Sequence, residues 1–282
     1  MKLYNTPAGI ILVANDKAYD INEGWDELVN RDSLYSYLSA LASKANPIKD
    51  FDVQNISANV LPPIESQELW AAGVTYLRSR EARMEESKQS GGADFYQKVY
   101  DAERPELFFK ALPHRIVGNG QDVNIRRDST WNVPEPELTL FINSNGNIQG
   151  YTIGNDMSSR SIEGENPLYL PQAKSYEKSA SLGPCLWVPE NPISPTALVS
   201  ISIVRDKETV FSGSIQLSQM KRTLPELASW LFRECDFKKG VYLMTGTGIV
   251  PPDHFTLAVG DRIIISIEGI GQLENTVALK NN

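Results

Sequence analysis

The sequence predicts a β-rich α+β protein in two parts: a small N-terminal α/β domain over residues 1–65 and a larger domain over residues 66–282. Three observations carry that expectation. Most apolar runs are short, alternate with period two and stop at Gly, Asn or Asp, the pattern of half-buried strands joined by tight turns. Few stretches have helical spacing. The length of 282 residues lies where a single core stops growing and chains begin to divide.

Composition narrows the class. With 41% hydrophobic and 22% charged residues the chain reads as an ordinary soluble globular protein. A net charge of -8 argues against nucleic acid or an anionic membrane as the main partner, although a small anion can still bind in a locally positive pocket. The apolar run Gly9–Ala14 is too short for a secretory core or a membrane span. Cys185 and Cys235 lack metal-type spacing and are expected to be buried free thiols, which points to the cytoplasm.

In the N-terminal part, Leu3–Tyr4, Gly9–Val13 and Lys17–Asp20 suit a small antiparallel sheet. Asp32-Ser33 is placed to cap a helix whose Leu34, Leu38 and Leu41 form one stripe. Glu68–Val74 then reads as a strand entering the larger domain. The polar stretch from Arg78 to Glu86 reads as a helix broken at Gly91-Gly92. It is either a solvated surface helix with i, i+4 ion pairs or a lid whose Ser79, Arg80 and Glu81 close over a ligand. In Glu106–Lys110, period two puts Glu106, Phe108 and Lys110 on one face. His114 and His254 are read as structural.

The stretch Trp131–Lys174 is the chemical centre. Glu135 and Glu137 project from the same face of a strand, about 6.6 Å apart along it. Pro136 between them argues for an edge or a bulge. Such close carboxylates repel unless a cation lies between them. Leu138–Ile142 carries the strand inward, Asn145-Gly146 signals a hairpin, and the return strand brings Asp156 back beside the glutamates. Three carboxylates with open positions suit Mg²⁺, Mn²⁺ or Ca²⁺ and not zinc. Arg160 and Lys174 follow closely and fit an anionic ligand. Further on, Leu198–Arg205 and Thr209–Phe211 read as a hairpin around Asp206-Lys207. Thr223 is a helix cap, and Val241–Met244, Arg262–Glu268 and Leu273–Leu279 are strands.

Four motifs, PEPEL at 134–138, GYTIGNDMSSRSIE at 150–163, NPLYLPQAK at 166–174 and TGTGIVP at 245–251, together resemble the fumarylacetoacetate hydrolase superfamily from about residue 68 to the C-terminus. The resemblance implies a mixed β-roll core and a divalent metal on Glu135, Glu137 and Asp156. That metal chelates the carboxylate and 2-oxo oxygens of an oxo-acid, which Lys174 and Thr247 contact. It also implies a homodimer or homotetramer. The family's C–C hydrolases and decarboxylases carry a lid motif N-Y-x-x-H-x-x-E whose His–Glu pair activates water. Here Ser79 stands at the histidine position and Ala82 at the glutamate position. That departure, with RPELFFKA at 104–111 and Met220-Lys221-Arg222, is similar to the branch that dehydrates 2-keto-3-deoxy-arabinonate to 2,5-dioxopentanoate. In that setting Glu106 is the expected base at C3, Lys174 supports the developing enolate, and Ser79, Arg80, Arg160 and Thr247 bind substrate. The alternatives are an acylpyruvate-type hydrolase, a 2-oxo acid decarboxylase or isomerase, and a non-catalytic oxo-acid-binding protein.

Overall fold

The computed structural model describes residues 1–86 and 93–281. Strands β1 (Lys2–Thr6), β2 (Gly9–Ala14) and β3 (Lys17–Ile21) form an antiparallel meander, followed by helices α1 (Trp25–Val29) and α2 (Leu34–Lys44). The Leu34/Leu38 stripe of α2 is fully buried. Its cap differs from the expectation. Ser33 takes a left-handed conformation with no capping bond, and the Leu34 N–H donates instead to Gln149 Oε1 at 3.0 Å. Asp32 is engaged elsewhere, accepting the side-chain amides of Asn143, Asn145 and Asn147.

Next come β4 (Glu68–Gly73), α3 (Leu77–Glu86), α4 (Ala93–Asp101) and β5 (Glu106–Ala111), then the short strands β6 (Ile116–Val117), β7 (Asp122–Ile125) and β8 (Asn132–Val133). The glycine hinge expected at Gly91-Gly92 lies outside the described residues. Strands β9 (Pro136–Ile142) and β10 (Ile148–Asp156) are the expected hairpin around Asn145-Gly146, with Gly146 at positive φ. After β11 (Ser158–Ser159), helices α5 (Arg160–Glu165) and α6 (Leu170–Lys174) lead to β12 (Ala180–Trp187). The hairpin β13 (Leu198–Arg205) and β14 (Glu208–Gln216) runs longer than its alternation suggested. Helix α7 (Leu224–Leu231) carries a full capping box between Thr223 and Glu226. Strands β15 (Val241–Met244), β16 (Arg262–Ile267) and β17 (Gly271–Leu279) complete the chain.

These elements build two large sheets. The larger follows the order β3-β2-β1-β12-β10-β9-β15-β4-β5, with β6 beside β12; the smaller is β14-β13-β16-β17-β7. The N-terminal meander is therefore one flank of the large sheet, because Lys2 and Leu3 pair with Trp187 and Leu186. One face of the large sheet, carrying Leu138, Leu140 and Ile142, packs on Val199, Ile201, Ile203, Ile263 and Ile265 of the smaller sheet. The other face carries Phe141, Tyr242, Met244 and Leu69 and is covered by Trp25, Leu28, Leu34 and Leu38. Strand β9 has neighbours on both sides, contrary to the edge suggested by Pro136. Proline is tolerated because it is the first residue of the strand, ahead of the β15 pairing that begins at Thr139. Cys185 is buried as expected; Cys235 is exposed.

Candidate metal centre and active site

The site occupies one end of that second face of the large sheet. Glu135 and Asp156 exchange both backbone hydrogen bonds, Glu135 N–H to Asp156 O at 3.2 Å and Asp156 N–H to Glu135 O at 3.0 Å. A pair of this kind has its side chains on one face with Cα atoms about 5.5 Å apart. Glu137, two residues on, lies opposite Gly154, where a Cβ would come within 2.4 Å of Thr139 Oγ1. Across β15 and β4 the same face reaches Gly73, which pairs with Glu106. A Cβ on Gly73 would come within 2.0 Å of Glu106 Oε2, so the glycine leaves the space the carboxylate fills. Helices α3, α5 and α6 roof the site with Ser79, Arg83, Glu163, Leu170 and Lys174, leaving a narrow cavity between them and the sheet.

Nearly every charge here is buried. Lys174 Nζ donates to Asp156 Oδ2 at 2.8 Å, to Ser158 Oγ at 2.5 Å and to Glu135 Oε2. Lys110 Nζ lies 2.6 Å from Asp156 Oδ1 and donates to Met157 O at 3.1 Å and to the Lys174 carbonyl. Glu135 Oε1 accepts from Arg160 Nη2 at 2.6 Å and from Arg83 Nη2 at 3.1 Å. Glu137 has a different supply: the Gly246 N–H in the TGT turn donates to its Oε2 at 2.6 Å. Burial raises the proton affinity of Glu135, but the charges of Lys174, Arg83 and Arg160 outweigh it and hold this carboxyl well below the ordinary range. Burial and the negative charges of Asp156 and Glu135 push Glu137 well above it. Glu106 is also raised, by burial, against the pull of Arg83 and Lys174. Burial lowers Lys110, against the charge of Asp156.

The donor set fits a hard dication. One oxygen from each of Glu135, Glu137 and Asp156 lies within 4.8 Å of the others. Ligands at the 2.0–2.6 Å typical of Mg²⁺ or Ca²⁺ span oxygen pairs up to roughly twice that distance. A dication also answers the repulsion that raises Glu137. Formal charges agree: Glu106, Glu135, Glu137, Asp156 and Glu163 face Arg83, Lys110, Arg160 and Lys174, a net of minus one. One dication and one monocarboxylate bring that sum to zero.

The expected residues separate into groups. Glu106, Glu135, Glu137, Asp156, Lys174, Ser79 and Thr247 all line the cavity. Arg160 stands behind it, bound to Glu135. Thr247 Oγ1 pairs within its own turn with Ile249, and Ser79 Oγ donates to Tyr76 O at 2.8 Å. Thr245, grouped with Thr247 by the TGT motif, donates its hydroxyl to Leu138 O. Arg80, expected at the ligand, is turned away, its guanidinium 5.0 Å from the Tyr100 ring centroid. The helix presents Arg83 to the cavity in its place, because Ser79, Ala82 and Arg83 share the buried face. Glu163, ion-paired with Arg83, is the other charged wall residue that sequence reasoning left unassigned. His114 and His254 are absent from the cavity wall.

A model of the fumarylacetoacetate (FAA) hydrolase C-terminal family matches residues 74–278, and the chain belongs to that family. Among its relatives, the probable 2-keto-3-deoxyxylonate dehydratase of Haloferax volcanii is 45% identical over 250 residues, 88% of this chain and 84% of the relative. The 2-dehydro-3-deoxy-D-arabinonate dehydratase of Saccharolobus solfataricus is 41% identical over 228 residues, 80% of this chain and 76% of the relative. A solved structure of 2-keto-3-deoxy-D-arabinonate dehydratase complexed with magnesium and 2,5-dioxopentanoate matches with a TM-score of 0.86 at 32% identity, covering both chains in full.

Proposed function

We propose that the protein is a magnesium-dependent hydro-lyase that converts a 2-keto-3-deoxypentonate to 2,5-dioxopentanoate. The observation that carries the reading is the buried Glu135–Glu137–Asp156 cluster sharing one cavity with Glu106 and Lys174. The relatives support it, two by their dehydratase names and one by the magnesium and 2,5-dioxopentanoate it holds. In the D series the arabinonate and xylonate names describe one compound, since C4 is the only stereocentre left.

Glu135, Glu137 and Asp156 would hold the ion. When bound, it supplies Lewis acidity at the ligand's carboxylate and 2-oxo oxygens. Glu106 takes the C3 proton; its raised proton affinity suits a group that must keep a proton once it has it. Lys174 places positive charge where negative charge develops on the oxo oxygen. Loss of the C4 hydroxyl as water leaves a C3–C4 double bond. Moving a proton from C5 to C3 then gives the C4–C5 enol, whose hydroxyl proton passes to C4 and leaves the product's C5 aldehyde. With Ser79 where the family's hydrolytic branch has a histidine, no imidazole lines the cavity to activate water for C–C cleavage. Ser79, Arg160 and Thr247 are assigned to substrate binding, Arg160 by fixing Glu135.

Incubation with Mg²⁺ and a panel of 2-keto-3-deoxypentonates and an acylpyruvate tests the reading. Release of 2,5-dioxopentanoate is expected; pyruvate from the acylpyruvate alone, or silence on every compound, overturns it. The same reading carries a cytoplasmic enzyme, a homodimer or homotetramer, and residues 1–65 as an accessory domain. Light scattering checks the assembly. No helix among the described residues is long and apolar enough to cross a membrane.

A further inference from the structure

Arg83 is the one cation that the roofing helix α3 contributes to the cavity wall. Its guanidinium bridges two buried carboxylates, with Nη1 on Glu163 and Nη2 3.1 Å from Glu135 Oε1. The two partners are not equivalent. Glu135 also receives Arg160 at 2.6 Å and Lys174, so it stays neutralised if Arg83 leaves, and the Arg83 contact is the longest of its three. Glu163 has no other cation against it among the described ion pairs and is 1% exposed. A buried carboxylate in that position holds its partner firmly. A planar fork fixed at one end and exchangeable at the other is built to change acceptors.

We propose that Arg83 recognises the oxygen-bearing tail of the substrate, with Glu163 as its anchor. Nη1 remains on Glu163, and Nη2 passes from Glu135 to the C5 oxygen when ligand fills the cavity. This rests on the oxo-acid reading above and adds a specificity determinant to it. The C5 alcohol becomes the aldehyde of the product, so the group that Arg83 grips is one that the reaction transforms. Glu163 is a positioning residue, acting only through Arg83.

Two ligands that differ in one oxygen isolate the contact: 2,5-dioxopentanoate, and 2-oxopentanoate, which has the same chain without oxygen at C5. Binding of each is measured by calorimetry with saturating Mg²⁺, so turnover is not the readout. Arg83→Met is expected to weaken 2,5-dioxopentanoate about tenfold to a hundredfold, the value of a hydrogen bond to a charged group, and to leave 2-oxopentanoate within about twofold. Glu163→Gln should weaken the same ligand selectively but less. If Arg83→Met fails to fold with Glu163 left unpaired, Arg83→Met/Glu163→Gln removes both charges and should give the same selective loss. Equal weakening of both ligands, or no weakening, overturns the proposal while the dehydratase reading stands. Failure of the unaltered enzyme to bind either ligand overturns both.

Discussion

The hairpin β9–β10 runs the length of the large sheet, and one face of it meets two opposite environments. At the turn end, Phe141 packs on Tyr242 with ring centroids 5.0 Å apart, in a core closed by Trp25, Leu28 and Leu34. At the other end the same face carries Glu135, Glu137 and Asp156 under Arg83 and Lys174. The first end removes apolar surface from water and stabilises the fold. The second places nine ionisable groups where desolvation offsets much of their mutual attraction, so it adds little stability and holds a ligand site instead. One strand pair thus separates folding from chemistry along its own axis.

The largest expected effect lies at the charged end. Glu106→Gln keeps the shape beside Gly73 and removes the proposed base. Turnover should fall by about 10²–10⁴-fold, the range of general base catalysis, while Mg²⁺ binding and melting temperature stay near those of the unaltered protein. Calorimetric Mg²⁺ titration beside product assays checks it. Normal turnover would remove Glu106 from the chemistry, and a large loss of stability would contradict the division of labour between the two ends.

The reverse substitution is next. Phe141→Ala opens a cavity in the apolar end, and truncation of a fully buried phenylalanine costs about 3–5 kcal/mol. Denaturant unfolding should show that loss, with kcat per folded molecule unchanged. A comparable fall in kcat would mean that the two ends are coupled through the hairpin.

Much of this contrast is legible in the sequence. Alternation placed Glu106 with Lys110 and Glu135 with Glu137, and Asn145-Gly146 set the hairpin that returns Asp156. Local pattern carries such facts because a strand's faces and a tight turn are decided by adjacent residues. Arg83 was not legible in the same way. Arg78, Arg80 and Arg83 all lie within two turns, and which one faces inward depends on the rotation of α3 against α5 and β5. A signal did exist: with Ser79 inward, the i+3 and i+4 residues Ala82 and Arg83 follow it and Arg80 does not. The N-terminal meander shows the limit differently, since nothing in three adjacent strands foretells that β1 pairs with a distant strand, β12. Nor does local sequence show that Asp32 gives up its helix cap to serve a turn about 110 residues away.

Acidity should separate the ends by sign. Glu137 has its proton affinity raised above the ordinary 4.5 by burial and by Asp156 and Glu135. The metal-free protein therefore binds more protons folded than unfolded between 4.5 and the raised value, and its stability falls as pH rises through that window. Mg²⁺ needs the carboxylate, so its affinity should climb with pH over the same interval with release of a proton. Calorimetry in buffers of different ionisation enthalpy counts that proton. A pH-independent Mg²⁺ affinity would take Glu137 out of the ligand set.

The smallest effect, with the opposite sign, belongs to the turn end. Asn143, Asn145 and Asn147 hydrogen-bond to Asp32 and lower its carboxyl below the ordinary 3.8. A lowered group contributes stability that is present above 3.8 and lost as pH falls through the folded value. Asp32 is exposed to solvent, so water screens the contribution and it stays small. Asp32→Ala should lower the melting temperature slightly at neutral pH and leave it unchanged once the medium is acid enough to protonate the native carboxyl. Turnover should not move, because the substitution loosens the turn where Asn143–Asn147 cross to the next strand and leaves the Glu135–Asp156 register intact. A fall in kcat would show that the hairpin's register is set from its turn rather than by the paired strands on either side.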